Sequence, residues 1–344
     1  MKIVEAYERL TRHYLETAKK VDHSQYFQSL DLDWPQIKST LDYLSSQDDN
    51  TVINLFSELV LALNQFWHSR GHLREATRIL KQATHASHTV GNLHQEGRHI
   101  GNLANAYFGL GQFQKAIELH TEALDIAGLL GDREMEGKAL GGLGLTLSQL
   151  GNPEKAMGYL QRTLNISRDL SNREMEGSTL GNLGHVYDDL GQTIRAIECF
   201  EQSVKIAREF NNRREEINQL NNLGLIYSKS QKPDDVELAI KCYQEALEAS
   251  HEIGYRQGEA SILGNLGLIC HRFGQIDRAI KYHDQALDIF SETGDLLGIG
   301  DHLRYLSKAY RDLGQVEQAE AYLAKAVNIF KQIQPPRANS TDRL

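Results

Sequence analysis

The sequence predicts an all-α chain built as a stack of helical hairpins, and three observations predict it. First, a turn motif recurs: "LGQF" at Leu110–Phe113 returns as "LGNP" at 150, "LGQT" at 190, "FGQI" at 273 and "LGQV" at 313, with an earlier form, "RGHL", at Arg70. Second, an alanine stands five residues beyond each turn glycine: Ala76, Ala116, Ala156, Ala196, Ala279 and Ala319, while Ala239 follows the irregular turn "SQKPDDVE". The successive spacings are 40, 40, 40, 43, 40 and 40, the 43 reflecting a three-residue insertion around Pro233. Self-similarity at such a period marks a tandem array. Third, apolar residues within a unit fall three or four apart, as in Leu183, Val186, Tyr187 and Leu190, then Ile194, Ile197, Phe200, Val204 and Ala207. That is helical spacing, and no segment alternates as a strand does.

Taken in order, Ile3, Val4, Tyr7, Leu10 and Tyr14 form one apolar helical face, and Pro35 to Leu44 starts another helix. Residues 1–50 lie off the period and read as an N-terminal helical cap. Residues 51–333 then hold seven hairpins, with turns near 71, 111, 151, 191, 231, 274 and 314. Polar pairs "GD", "SN" and "NN" at 131, 171 and 211 close second helices, and Asn152 before Pro153 fits an N-cap followed by proline at the first helical position. Residues 334–344, "QPPRANSTDRL", read as a disordered tail.

Composition bounds the function. The 344 residues are 40% hydrophobic and 24% charged, with a net charge of −9 and a pI near 5.9. A nucleic-acid binder would show a basic footprint instead. Cys199, Cys242 and Cys270 form no CxxC pair, which points to a reducing cytoplasm. The charged N-terminus lacks the apolar core of a signal peptide. The longest apolar stretch, near "ELVLALNQFW", falls short of a membrane span. The expectation is a soluble cytoplasmic protein with neither nucleic-acid nor membrane partners.

The units resemble tetratricopeptide repeats, whose pattern runs L-G-x-x-Y, then A-x-x-x-F and a second A. Residues 181–210 supply Leu183, Gly184, Tyr187, Ala196 and Phe200, with Ser203 in the place of the second alanine. Residues 101–130 supply Leu103, Tyr107, Ala116, His120 and Ala123, with Ala104 for the glycine. Residues 264–293 supply Leu266, Gly267, Ala279, His283 and Ala286, with Cys270 for the tyrosine. The resemblance runs from about Asn54 to Ile333 and implies a right-handed superhelix, an α-solenoid. The 40-residue period, with its "GNLG" and "GDREMEG" segments, resembles the repeats of Pins-type polarity adaptors and kinesin light chains. The run "DWPQIKSTLDYL … LALNQFWHSRGHLREATRIL" resembles the entry into the C-terminal sensor region of bacterial STAND-type and LuxR-like regulators. No GxxxxGK[ST] loop is present, so that resemblance implies a sensor module, alone or as part of a longer protein.

The glycine-rich segment "ALGGLGLTLSQLG", residues 139–151, falls on a first helix. A phosphate loop needs glycines between a strand and a helix, followed by lysine and serine or threonine, and this segment has none of that context. Each glycine in a helix costs roughly 1 kcal/mol relative to alanine, an expense that close packing of Gly144 against Ala156 offsets.

First helices of such repeats line the concave face that solenoids use for binding. Two residues before the repeat glycine stand Asn102, Asn182, Asn222 and Asn265, with Gly142 and Tyr305 at the two exceptions. A carboxamide both donates and accepts, so a regular row can hold the backbone of an extended peptide. The resemblance implies that role. One turn further lie Asn105, Leu145, His185, Leu225, Leu268 and Lys308. Towards the C-terminal end His271, Arg272, Arg304, Lys308 and Arg311 gather positive charge, predicting a ligand that is acidic towards that end. Gly142 predicts a shallow apolar notch that would admit a bulky side chain of the partner. Arg133, Arg173, Arg213 and Arg256 each precede a glutamate by three residues and read as structural ion pairs.

No HExxH or paired-carboxylate arrangement suggests catalysis. His120 and His283 replace the repeat's core aromatic and read as packed histidines. No cofactor and no metal is expected. Two functions remain: a non-catalytic module binding a partner protein or extended peptide, or a ligand- or peptide-sensing module of a STAND/LuxR-type system.

Overall fold

The computed structural model describes residues 9–14, 23–47, 49–70, 72–230 and 232–333. Nearly all of these are helical, and none of the described residues is in a strand. The expected disordered tail, and Ile3, Val4 and Tyr7 of the cap, lie outside them. The chain divides into two units, residues 1–190 and 191–344.

The first unit opens with α1 (residues 9–14), α2 (His23–Leu44) and α3 (Asn50–Arg70). It continues with α4 (Leu73–Thr89), α5 (Leu93–Gly109), α6 (Phe113–Leu130), α7 (Arg133–Gln149), α8 (Pro153–Asp169) and α9 (Arg173–Asp189). The second holds α10 (Thr193–Glu209), α11 (Arg213–Lys229), α12 (Pro233–Ile253), α13 (Arg256–Arg272), α14 (Ile276–Thr293), α15 (Leu296–Asp312) and α16 (Val316–Ile333). From α2 onward, each helix within a unit packs on its neighbours in sequence, and alternate helices also touch: α3 with α5, α5 with α7, α7 with α9, and α11 with α13. This is the hairpin stacking expected from the period.

One expected boundary differs. The helix foreseen from Pro35 begins at His23 and runs through the proline. Proline removes the hydrogen bond to the carbonyl four residues back, here that of Asp31. Both residues are exposed, where solvent can serve such a carbonyl. Below them Tyr14, Leu30, Ile37, Leu41, Phe56 and Trp67 are buried in one cluster that continues into Ala76, Ile79 and Tyr107. The off-period helices thereby cover the open end of the first hairpins.

Turn chemistry sets the helix ends. Gly111 and Gly151 adopt φ of 70° and 72°, and Gly274 and Gly314 adopt 71° and 76°. A side chain disfavours that left-handed backbone by about 1–2 kcal/mol, which explains why the turn glycine recurs. Asn92, Asp132, Asn172 and Asn212 then cap α5, α7, α9 and α11, accepting from the backbone N–H of Gln95, Met135, Met175 and Glu215 at 3.1, 2.9, 3.0 and 3.2 Å. Asn152 stands at the N-cap of α8 before Pro153, but its side chain does not cap the helix. Its amide instead donates to the Leu150 carbonyl at 3.2 Å.

The expected glycine packing is present. A Cβ on Gly144 would sit 2.7 Å from Leu160 and 3.3 Å from the Ala156 carbonyl oxygen. The four arginine–glutamate pairs also form: Arg133–Glu136 at 2.6 Å, Arg173–Glu176 at 2.6 Å, Arg213–Glu216 at 2.9 Å and Arg256–Glu259 at 2.7 Å.

Three of these glutamates hold a second partner from the preceding helix: Arg168 on Glu176 at 2.8 Å, Arg208 on Glu216 at 2.6 Å and His251 on Glu259 at 2.9 Å. Burial alone would raise the Glu216 carboxyl, but hydrogen bonds from Arg208 and Arg213 outweigh it and hold the group below its usual range. Glu216 therefore joins two helices rather than decorating one. Glu216→Gln is expected to cost about 2 kcal/mol in urea unfolding, the lower side of a broken buried pair because both arginines stay half exposed. A loss of only a few tenths would return the pair to the weight of a surface contact.

Candidate functional site: the first-helix face

In the first unit, α5 presents Asn102 half-buried and Asn105 exposed; α9 presents Asn182 half-buried and His185 exposed. Gly142 and half-buried Leu145 stand between them on α7. All of these but Gly142 border two hollows. One, of about 750 Å³, is lined by Asn64 of α3, by His94, Arg98, Asn102 and Asn105 of α5, by His120 of α6 and by Lys138 of α7. The other, of about 680 Å³, brings together Leu145, Ser148, Asn182 and His185. The side chains of Asn102, Asn105 and Asn182 hydrogen-bond to no other described residue. At the first hollow His94 pairs with Asp132 at 3.2 Å and Lys138 with Glu134 at 2.5 Å. Arg98 makes no ion pair among the described residues.

The same register positions behave differently in the second unit. Asn222 donates to Gln219 Oε1 at 3.2 Å, and Asn265 donates across the helix pair to Asn221 Oδ1 at 2.9 Å. Leu225 and Leu268 are exposed. Of the five grouped basic residues, His271 meets Asp312 at 2.8 Å and Arg304 meets Asp301 at 3.0 Å. Arg272 donates to the backbone carbonyls of Ser228 and Ser230, the latter at 2.8 Å. Lys308 and Arg311 are exposed and form no ion pair among the described residues. None of these positions lines the hollow of about 450 Å³ bounded by Glu201, Val204, Lys205, Arg208, Glu209, Leu220 and Leu223.

The space at Gly142 is not an open notch. A Cβ there would run into the imidazole of His120, which fills the place and lines the first hollow. The residue 22 positions before each row member explains the pattern: Leu80 for Asn102, Leu160 for Asn182, Phe200 for Asn222 and Tyr243 for Asn265. His120 precedes Gly142, and His283 precedes Tyr305. Both interruptions of the asparagine row thus follow a histidine. Tyr305 stacks on His283 with ring centroids 5.1 Å apart.

His120 and His283 are packed, as expected, at 2% and 1% exposure. Burial pushes the His120 imidazole down to about 4, and burial with His302 and His271 nearby pushes His283 down to about 3. Sequence reasoning missed His99, which is fully buried and hydrogen-bonds through Nε2 to Ser57 Oγ at 2.5 Å. It stands two residues outside the tetratricopeptide signature, so no pattern marked it.

Among the described residues, no three metal-ligating side chains gather, and no helix is long and apolar enough to cross a membrane.

Comparison with known proteins agrees with this architecture. Tetratricopeptide repeat models match residues 96–169, 234–292 and 258–332, and a second such model matches 177–210. Together they cover more than half of the chain, which belongs to the tetratricopeptide repeat family. A model of anaphase-promoting complex subunit 5 matches residues 13–91. No curated protein gives a match.

Among solved structures, the chain is similar to BtubC (BKLC) from P. vanneervenii, with 24% identity over 67% of this chain and 97% of that one, at a TM-score of 0.57. A Rap protein complexed with competence and sporulation factor has 15% identity over 96% of this chain and 98% of that one, at 0.64. A STAND protein with a tetratricopeptide repeat sensor, from Pyrococcus horikoshii, has 20% identity over 89% of this chain and 46% of that one, at 0.62. At these identities the likeness is one of fold.

Proposed function

We propose that the protein is a non-catalytic binding module that holds an extended polypeptide against the first-helix face, with its principal site in the first unit. The observation that carries this reading is the contrast between the two units. Asn102, Asn105 and Asn182 stand unpartnered around two hollows, whereas Asn222 and Asn265 are committed to neighbouring side chains. The polar atoms of the first three are not among the buried unpartnered ones, so they meet solvent, and such a carboxamide can exchange water for the C=O and N–H of a peptide backbone. The Rap conjugation gene regulator of plasmid pLS20, of similar fold and solved in complex with the Phr* peptide, supports a peptide as the occupant.

Selection of a random peptide library on the purified protein tests the reading. The recovered peptides should lose at least tenfold in affinity for the Asn102→Ala/Asn105→Ala/Asn182→Ala variant, about one hydrogen bond's worth or more. They should keep their affinity for Asn222→Ala/Asn265→Ala. The reverse ranking would move the site to the second unit.

In the second unit, Lys308 and Arg311 are the cations left to meet acidic residues of a ligand. Lys308→Glu/Arg311→Glu is expected to weaken peptides carrying carboxylates and to spare neutral ones. Equal effects on both would remove the acidic preference. A second reading, a sensor module of a STAND-type regulator, draws on the likeness to the P. horikoshii protein, of whose length this chain spans 46%. It places the same face in the same role, with the bound ligand controlling a partner ATPase; adding that ATPase should couple its turnover to peptide binding.

A further inference from the structure

His120 is 2% exposed, lines the larger hollow of the first unit, and has no hydrogen-bond partner on either ring nitrogen. Leaving both nitrogens of a buried ring unmet is costly and calls for a partner. The ring lies over Gly142, the one position of the first unit's row where the asparagine is missing. Where the preceding repeats carry Leu80 or Leu160 instead, Asn102 and Asn182 are present.

We propose that His120 supplies the contact an asparagine supplies in the adjacent repeats, its imidazole hydrogen-bonding a peptide group of a polypeptide seated in the hollow. This rests on the groove reading above. A neutral imidazole offers one donor and one acceptor, the complement of a peptide group's C=O and N–H. Burial keeps the ring neutral at physiological pH. Asn64 Oδ1, also without a partner, borders the same hollow and adds an acceptor for a second N–H. His283 is not equivalent, because the Tyr305 ring stacks on it. The glycine at 142 therefore serves to let a polar ring from the second helix reach the row.

The test uses two probes on the full-length protein. The first is N-methylacetamide, an isolated peptide group, titrated into protein carrying ¹³C-labelled histidine. The His120 Cε1–H resonance, assigned by its loss in His120→Leu, is expected to shift saturably while that of His283 stays in place. The second is the set of library-selected peptides, measured against His120→Leu and against His120→Leu/Gly142→Asn, which recreates the Leu160/Asn182 combination. The single variant should lose about tenfold in affinity, or about 1.4 kcal/mol, and the double variant should recover most of it. A fixed resonance together with undiminished binding by His120→Leu overturns the inference and leaves the groove reading intact. A saturable shift with no peptide recovered from the library keeps the contact and removes the extended groove.

Discussion

Lowering the pH from neutrality to about 4 is expected to unfold the protein. Its interior holds neutral imidazoles in both units. Burial, with Arg98 adding to it, pushes His99 down to about 4; burial does the same to His120, and His283 falls to about 3. His302 is lowered as well, by burial. In the unfolded chain each titrates near 6.5. The sign follows directly. Between the folded and unfolded values the unfolded chain binds more protons, so the contribution is complete above about pH 6.5 and is lost as the pH falls towards the folded values. At about 1.4 kcal/mol per pH unit across that window, His99 and His120 each withdraw about 3 kcal/mol. Their sum rivals the net stability of an ordinary domain, about 5–15 kcal/mol. Urea midpoints measured at stepped pH should fall steeply between about 6.5 and 4, and His120→Leu should flatten the slope by one histidine's share. Constant midpoints across that range would mean these rings are solvated when protonated.

Placing the missing asparagine in the row should damage the fold rather than complete the site. Gly142→Asn drives its Cβ into the His120 ring, which is held between α6 and α7. Overpacking of this kind costs about 1–3 kcal/mol. In the His120→Leu background the same substitution should be close to neutral, because leucine and asparagine already coexist at Leu160 and Asn182. A four-variant cycle in urea should then show a coupling of about 1–2 kcal/mol, within the range for residues in contact. Additive effects would show that ring and glycine do not meet in solution.

The architecture was legible because a fixed period with recurring alanines and turn glycines forces the same local solution from repeat to repeat. The Gly144–Ala156 approach, the four arginine–glutamate pairs and the packed state of His120 and His283 followed from position within the repeat. What the period does not encode is which side chain meets which across helices. Gly142 read as an open notch because the His120 ring that fills it comes from the preceding repeat, 22 residues earlier. Glu216 read as one half of a pair within a single helix, because Arg208 reaches it from the preceding helix. The asparagine row read as uniform, although Asn221 and Gln219 engage its members in the second unit. The run through Pro35 was equally hidden, since it depends on the exposure of Asp31 and not on the pattern of apolar residues.

The central claim is that the first-helix face of the first unit holds an extended polypeptide. A crystal structure of the protein with a library-selected peptide tests it most directly. The account predicts peptide density along α5, α7 and α9, with the carboxamides of Asn102 and Asn182 within hydrogen-bonding distance of the peptide main chain. Density confined to the second helices, or to the second unit with Asn102 and Asn182 still unpartnered, would contradict it.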